Sequence, residues 1–310
     1  MKRDITETIL EDWLENVSSF AYDGQVANYI PALSKQDPEN LAVAIHYING
    51  ERICAGRSDV SFTLQSISKV IALALALMDN GEDYVFDRVG MEPTGDPFHS
   101  IYRLEQHRPF KPLNPMINAG ALAVSHMIHG DTPEEKVGRL LSFIHEMTDD
   151  HSISYNREVA SSEFETAFLN RSLLFYMKQH QIVTGSVEET LDAYTKQCSI
   201  ELNVKQLARI GALFANEGRD LESGRRIIPK HLARICKTFM VTCGMYDASG
   251  SFAIKVGIPA KSGVSGAVLG SLNGFGGIAV YGPSLDEKGN SVVGMRLLEL
   301  LSNRYDLSIF

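Results

Sequence analysis

The stretch Gln65-Ser66-Ile-Ser-Lys69-Val-Ile-Ala-Leu-Ala-Leu-Ala-Leu77 divides the sequence into two parts of different character. Before it, apolar runs at 41–48 and 52–56 flank the dipeptide Asn49-Gly50. Asn-Gly between two apolar runs is the strongest short signal for a β-hairpin, so we expect two paired strands here. From Ser66 onward the apolar spacing is helical, and we expect a long helix that opens at this serine.

The helical pattern continues for most of the middle of the chain, and strand patterns return only near its end. The spacing predicts helices at 6–20, 119–128, 133–147, 162–180, 187–198, 204–216 and 295–302, and strands at 251–256, 267–272 and 277–281. Strands, a long helical insertion and strands again fit an α+β fold better than a doubly wound one. We therefore expect an α/β sandwich whose antiparallel sheet is built from both chain ends.

The length of 310 residues suits one large domain or two intimately packed ones. We expect one domain over residues 1–310. Its sheet subdomain would comprise residues 1–66 and 236–310, and its helical subdomain residues 67–235.

Composition and charge exclude several classes of protein. The formal net charge is -9, from 38 acidic and 29 basic residues, and no dense Lys/Arg stripe is present, so nucleic acid is not an expected partner. No window approaches the roughly 18 uncharged apolar residues of a membrane helix. Charges scattered through residues 1–17 do not fit a secretory signal, so we expect a cytoplasmic protein. The four cysteines form no C-x-x-C pair, and no metal site is expected.

The spacing of Ser66 and Lys69 points to nucleophilic catalysis. Residues i and i+3 share a helix face, so the two side chains can meet. A serine needs a base to become a nucleophile, and a lysine whose pKa is lowered by burial can serve. Amides at the helix start also favour a developing oxyanion. Alone, however, S-x-x-K often occurs by chance.

A second motif, Lys261-Ser262-Gly263, makes the first more specific. S-x-x-K early and K-[ST]-G late, on strands joined through a helical insertion, is the order seen in β-lactamases and penicillin-binding proteins. Other patterns were weighed and set aside. The stretch 257–262 lacks the glycine that a P-loop requires before its lysine, and His145-Glu146 lacks the second histidine of a zincin helix.

A series of longer motifs resembles the serine-dependent glutaminase family. In chain order the motifs are Asn28-Tyr-Ile-Pro31, Gln65-Ser-Ile-Ser-Lys69, Asn114-Pro-Met-Ile-Asn-Ala-Gly120, Ser162-Glu163 with Asn170 seven positions after the Glu, Tyr194-Thr-Lys-Gln-Cys-Ser199, Thr242-Cys-Gly-Met-Tyr-Asp247 and Gly257-Ile-Pro-Ala-Lys-Ser-Gly-Val-Ser-Gly266. The likeness covers about residues 24–289. It implies a β-lactamase-like fold and hydrolysis of L-glutamine to L-glutamate and ammonia.

The resemblance also implies a role for individual residues. Ser66 would be the nucleophile, Lys69 its activating partner and Tyr246 a neighbour that moves a proton. The backbone N–H groups of Ser66 and Val264 would form the oxyanion hole. The substrate-binding set would be Tyr29, Ser66, Asn118, Glu163, Asn170, Tyr194, Tyr246 and Val264. Family members need no metal or organic cofactor and often form dimers or tetramers, so we expect a homo-oligomer.

Two positions depart from the family pattern, and other interpretations stay open. Leu169 stands where the family often has arginine, and Ala267 stands where a further glycine is common. Taken singly, Glu163 is also consistent with a solvated helix acid, the usual place of a glutamate, and Asn118 with a helix cap. Tyr29 and Tyr194 are also consistent with ordinary core tyrosines whose hydroxyls are satisfied. As whole-protein alternatives, the residues permit a cell-wall or β-lactam hydrolase on the same fold, or a glutamine-sensing protein without activity.

Overall fold

The computed structural model describes residues 5–97, 99–106, 108 and 110–310. Its α-helices are α1 (Glu7–Ser18), α2 (Ser68–Asn80), α3 (Glu82–Arg88), α4 (Tyr102–Gln106), α5 (Asn118–Met127), α6 (Pro133–Thr148), α7 (Arg157–Thr166), α8 (Phe168–Gln179), α9 (Val187–Cys198), α10 (Val204–Ala215), α11 (Lys230–Cys243), α12 (Ser249–Lys255) and α13 (Val292–Tyr305). Its strands are β1 (Gln25–Val26), β2 (Ala42–Tyr47), β3 (Arg52–Gly56), β4 (Phe62–Thr63), β5 (Glu201–Leu202), β6 (Ala260–Ser262), β7 (Ala267–Leu272), β8 (Gly276–Tyr281) and β9 (Ser284–Leu285).

The main sheet has five strands in the order β3-β2-β8-β7-β6, and every neighbouring pair is antiparallel. Two of these strands come from the beginning of the chain and three from its end. The predicted α+β architecture is therefore confirmed. Gly50, in the turn of the predicted hairpin, has a φ of 89°, which a glycine adopts without steric cost.

Side chains alternate across the sheet and separate two parts of the core. Ala42 and Ala44 of β2 face one side, where they pack with the helices of the middle segment. Val43 and Ile45 face the other side, where α1 and α13 cover the sheet. This period of two is what an extended strand imposes, and it places the sheet between two layers of helices.

Helix α10 lies close against β7 and β8 because glycines face it. A Cβ on Gly277 would lie 2.0 Å from the Ala208 carbonyl oxygen, and a Cβ on Gly211 would lie 2.5 Å from the Gly270 carbonyl oxygen. Larger side chains at Gly211 or Gly277 would separate helix and sheet. Helix α2 has every residue from Ser68 to Leu77 buried, and it packs against α5 and α11. The apolar stretch after Lys69 thus forms a fully enclosed central helix.

Several helix boundaries follow from local chemistry. Helix α6 begins with a capping box, because the Thr132 side chain accepts from the Glu135 N–H while the Glu135 carboxylate reaches back to the Thr132 N–H. Pro133 occupies the first turn, where its missing N–H costs nothing. The predicted start at 133 is therefore confirmed.

Two predictions about local structure were wrong. Residues 251–256, expected as a strand, belong to α12 and its end. Phe252 and Val256 are buried at helical spacing while Ile254 is 89% exposed, so the apparent alternation came from an exposed isoleucine. The helix expected at 162–180 is two helices, α7 and α8, because Ala167 between them has a ψ of 43°.

The division into a sheet subdomain and a helical subdomain stays a prediction. Its boundary between residues 235 and 236 falls inside α11, a helix that the sequence reasoning did not assign.

No helix in the described ranges of the chain is both long and apolar enough to cross a membrane.

Candidate active site

Ser66 lies at the junction between a short strand and the central helix. Strand β4 ends at Thr63, a 3-10 turn spans Gln65–Ile67, and α2 continues directly from it. Gln65 has a φ of 47°, a left-handed conformation that is unusual for a residue with a side chain. The turn places Ser66 in a cleft with only 8% of its surface exposed.

Lys69 lies three residues beyond this serine, in the first turn of α2, and is enclosed by the protein. Only 1% of its surface is exposed, and its Nζ donates to the Met116 carbonyl oxygen at 3.1 Å and to Asn118 Oδ1 at 2.8 Å. Burial lowers the pKa of the Lys69 ammonium to about 8, although the negative charge on Glu163 opposes this change. Lys69 therefore carries a substantial neutral fraction at slightly alkaline pH.

Glu163 faces the site from α7, where its side chain is 9% exposed. Burial raises the pKa of its carboxyl to about 7, while a hydrogen bond from Gln65 and the charge of Lys69 act in the opposite direction. Gln65 Nε2 lies 3.5 Å from Glu163 Oε2. The open alternative of a solvated helix acid is therefore wrong for Glu163.

Asn118 connects the lysine to the opposite wall of the cleft. It is the first residue of α5, whose N-cap is Ile117, and its side chain bonds to Lys69 and Asn170. Its Oδ1 accepts from Lys69, and its Nδ2 donates to Asn170 Oδ1 at 3.1 Å. The alternative of a helix cap is thus wrong for Asn118. The bond also occupies the carbonyl oxygen of the Asn170 amide and leaves its NH₂ group to donate elsewhere.

Tyr246 approaches Ser66 from the sheet side. It is 7% exposed, its hydroxyl donates to the Ser262 carbonyl oxygen at 3.2 Å, and it shares a hydrogen bond with the Ser66 side chain. Burial raises the pKa of its hydroxyl, so it keeps its proton at physiological pH. The ammonium of Lys261 lies 4.4 Å from the centre of the Tyr246 ring and donates to the Ser262 carbonyl oxygen.

Most of the predicted residues line one cleft of about 260 Å³. Its lining includes Tyr29, Ser66, Asn118, Glu163, Asn170, Tyr194 and Val264. The volume is slightly below the roughly 300–1,000 Å³ typical of ligand pockets, which favours a small ligand. Tyr29 is 56% exposed and lies at the rim, whereas Tyr194 is 3% exposed.

The cleft also has a pair of backbone donors with no partner of their own. Among the described residues, neither the Ser66 N–H nor the Val264 N–H donates to another protein group. Both residues line the same cleft. Free amide donors are the kind of group that can stabilise an oxyanion.

The sequence reasoning omitted several residues that the structure brings to the site. These are Ile30, Gln65, His99, Thr166, Ala167, Leu169 and Cys198 in the lining and Lys261 behind Tyr246. Gln65 adjoins Ser66 in the quoted motif, and Lys261 begins the late one, so a signal for both was present. Cys198 also lay within a quoted motif, and its thiol shares a hydrogen bond with Tyr194.

Comparison with known proteins agrees with this geometry. The model of the Glutaminase family matches residues 24–310. The chain belongs to the glutaminase family. It is 62% identical over 301 residues to Glutaminase 1 of Halalkalibacterium halodurans, covering 97% of this chain and 98% of that one.

Solved structures give the same result for the fold. The structure of a probable glutaminase of Bacillus subtilis superposes with a TM-score of 0.93 at 42% identity, covering 98% of this chain and 97% of that one. A second Bacillus subtilis glutaminase structure has a TM-score of 0.89 at 40% identity, covering 98% of this chain and 99% of that one. That structure is a covalent complex with 5-oxo-L-norleucine, formed by reaction with 6-diazo-5-oxo-L-norleucine. The β-lactamase-like fold that the motifs implied is confirmed.

Proposed function

We propose that this chain hydrolyses the side-chain amide of L-glutamine to L-glutamate and ammonia through an acyl-enzyme on Ser66. The observation that carries the proposal is one small cleft whose wall holds Ser66 and Glu163, with the buried Lys69 bonded to Asn118, another residue of that wall. Lys69 lies three residues after Ser66, and burial lowers its pKa to about 8, whereas burial raises the pKa of the Glu163 carboxyl to about 7. The covalent adduct of the related Bacillus subtilis enzyme with a glutamine-like ketone supports a covalent mechanism.

In the first step, neutral Lys69 accepts the proton of Ser66 while Oγ attacks the side-chain amide carbon. The carbonyl oxygen becomes an oxyanion, and the free N–H groups of Ser66 and Val264 stabilise it. The tetrahedral intermediate then expels ammonia, after a proton returns to the leaving nitrogen. Tyr246, which shares a hydrogen bond with Ser66 and keeps its own proton, is placed to pass that proton on.

In the second step, water attacks the acyl-enzyme, and Lys69 again accepts the proton. Collapse of the second tetrahedral intermediate breaks the ester bond to Ser66 and releases L-glutamate. The serine takes the proton back and the cycle closes.

The two ends of the amino acid need different partners. Glu163 is the buried acid of the cleft and pairs with the α-ammonium. The α-carboxylate takes neutral donors, and the NH₂ group of Asn170 and the hydroxyls of Tyr29 and Tyr194 are the candidates. Asn118 holds Asn170 and Lys69 in place through its two hydrogen bonds.

The test combines turnover with chemical trapping. Ammonia release is measured from L-glutamine and L-asparagine, and ring opening of a chromogenic β-lactam is followed by its absorbance, using the wild-type chain and the Lys69→Arg variant. Arginine stays charged and cannot accept the serine proton, so we expect loss of glutamine turnover. Wild-type protein treated with 6-diazo-5-oxo-L-norleucine should carry its adduct on the peptide that contains Ser66. A β-lactam preference, an adduct on another residue, or near-normal turnover by Lys69→Arg would contradict the proposal.

Three further expectations stay predictions. A homo-oligomer, dimer or tetramer, is checked by light scattering of the purified chain. A cytoplasmic location is checked by cell fractionation. The single catalytic domain with its two subdomains is checked by whether thermal unfolding proceeds in one cooperative transition.

A further inference from the structure

We propose that Ser68, Gln197 and Ser125 are positioning residues that orient the oxyanion donor at Ser66. This inference rests on the proposed function and names three side chains that do not touch the substrate. They form a buried hydrogen-bonded relay, called here the amide relay, which runs from α5 through α9 to the turn before α2. Its three members are 0%, 1% and 2% exposed, in the order named above.

Each bond of the amide relay is defined by distance. Ser125 Oγ donates to Gln197 Oε1 at 2.6 Å, and Gln197 Nε2 donates to Ser68 Oγ at 3.2 Å. Ser68 Oγ in turn donates to the Gln65 carbonyl oxygen at 2.7 Å. The Gln197 side chain accepts through its amide oxygen and donates through its NH₂ group, so it fixes the direction of donation along the whole relay.

The relay ends on the peptide group that matters for the reaction. The Gln65 carbonyl and the Ser66 N–H belong to one planar trans peptide and point in opposite directions. A bond that holds the carbonyl on the protein side therefore holds the N–H on the cleft side. The Ser68 backbone N–H donates to the same carbonyl and strengthens this hold.

The local backbone needs such support. Gln65 has a φ of 47°, a left-handed conformation that a residue with a side chain keeps only where the surrounding structure holds it. Without the relay, relaxation of Gln65 would rotate the peptide plane and turn the Ser66 N–H away from the cleft. The left-handed residue and the relay thus serve one purpose, which is to present this amide to the developing oxyanion.

The test replaces members of the relay and separates kcat from KM. Gln197→Met removes both hydrogen bonds at similar volume. Gln197→Glu keeps the shape, but its carboxylate accepts only, so it draws the Ser68 hydroxyl away from Gln65. Loss of one oxyanion donor costs roughly 10²–10³-fold in kcat, and a misaligned donor should cost about 10–100-fold. KM for L-glutamine should stay within about 3-fold, because the donor acts mainly in the transition state.

Ser68→Ala tests whether the members act as one unit. It should lower kcat as much as Gln197→Met, and the double variant should lose no more than either single one. Ser302→Ala is the matched control, since Ser302 is 4% exposed and its hydroxyl donates to the Val256 carbonyl oxygen, distant in sequence from the relay. Melting temperatures are measured for every variant, and the Gln197→Glu protein decides the question if Gln197→Met does not fold.

Three outcomes would overturn the relay. They are a fall in kcat no larger than that of Ser302→Ala, losses that add in the double variant, or KM and kcat that change together. The proposed function has its own separate failure, which is wild-type protein that does not hydrolyse glutamine through Ser66. If the wild type does so and the relay variants keep their kcat, only the relay is wrong.

Discussion

The substitution Glu163→Gln should change both the affinity for glutamine and the shape of the pH profile. For the free wild-type enzyme the productive form has Glu163 ionised and Lys69 neutral. Their pKa values of about 7 and about 8 predict that log kcat/KM rises with a slope near 2 below pH 7. The slope falls to about 1 between pH 7 and 8. Above pH 8, log kcat/KM reaches a plateau because the active form then dominates.

Glutamine in place of Glu163 removes one of the two titrations. The slope of the acidic limb should then not exceed 1. The negative charge of Glu163 also raises the pKa of Lys69, so its removal should move the remaining limb below pH 8. Loss of the charged partner for the substrate ammonium costs roughly 1.5–3 kcal/mol, which is about 10- to 150-fold in kcat/KM. The loss should appear chiefly in KM, since this contact exists equally in the ground and transition states.

The assay is initial-rate ammonia release from pH 5.5 to 9.5 at constant ionic strength, with KM and kcat determined at each pH. Glu158→Gln is the matched control, because Glu158 lies on the same helix α7 with its side chain 69% exposed and its carboxylate paired with Lys35. Such surface pairs contribute little, so this control should resemble the wild type. An unchanged KM, or a limb that keeps a slope of 2 in Glu163→Gln, would refute the assigned role of the carboxylate.

Three other substitutions or substrates test separate parts of the reasoning. Ser66→Ala should abolish turnover while calorimetry still detects nearly normal glutamine binding, and residual turnover above a trace would exclude this nucleophile. L-Asparagine should have a kcat/KM lower by on the order of 10²-fold or more, because its shorter side chain leaves the amide carbon about 1 Å short of Ser66. Burial lowers the pKa of His46 to about 4. The contribution of neutral His46 to the free energy of unfolding is therefore fully present above pH 6.5 and is lost as pH falls toward 4. His46→Gln should reduce the difference in unfolding free energy between pH 7.5 and pH 4.5 by up to about 2.5 kcal/mol, measured by urea unfolding, and an unchanged difference would contradict this.

The elements that the sequence predicted well are those whose signals are local. The Asn49-Gly50 turn predicted the first hairpin, and the helical spacing predicted a start at 133, where the structure has a capping box at Thr132. Helix α11 was missed, although Leu232, Cys236 and Phe239 are buried at helical spacing. That signal was available and was not used.

In the candidate site, too, local signals predicted some features and missed others. Most of the predicted side chains lie within motifs and line one cleft, and Lys69 and Tyr246 bond to residues of that lining. The positive φ of Gln65 carried no sequence signal, because glutamine is not a residue that prefers this conformation. The bond between Ser68 and Gln197 joins residues 129 positions apart, so only the packed helices reveal it. Local chemistry therefore identified the reacting groups, whereas their orientation required the three-dimensional structure.

On the proposed mechanism, substrate charge and base strength are linked through Glu163. Burial drives both Glu163 and Lys69 toward their neutral forms, and each charge stabilises the other. In the free site an ionised Glu163 therefore favours the protonated, inactive form of Lys69. When the substrate ammonium pairs with the carboxylate, it offsets that negative charge and favours neutral Lys69. A ligand with the amide but without the ammonium lacks this effect, so the pocket both selects an amino acid and prepares the base that attacks it.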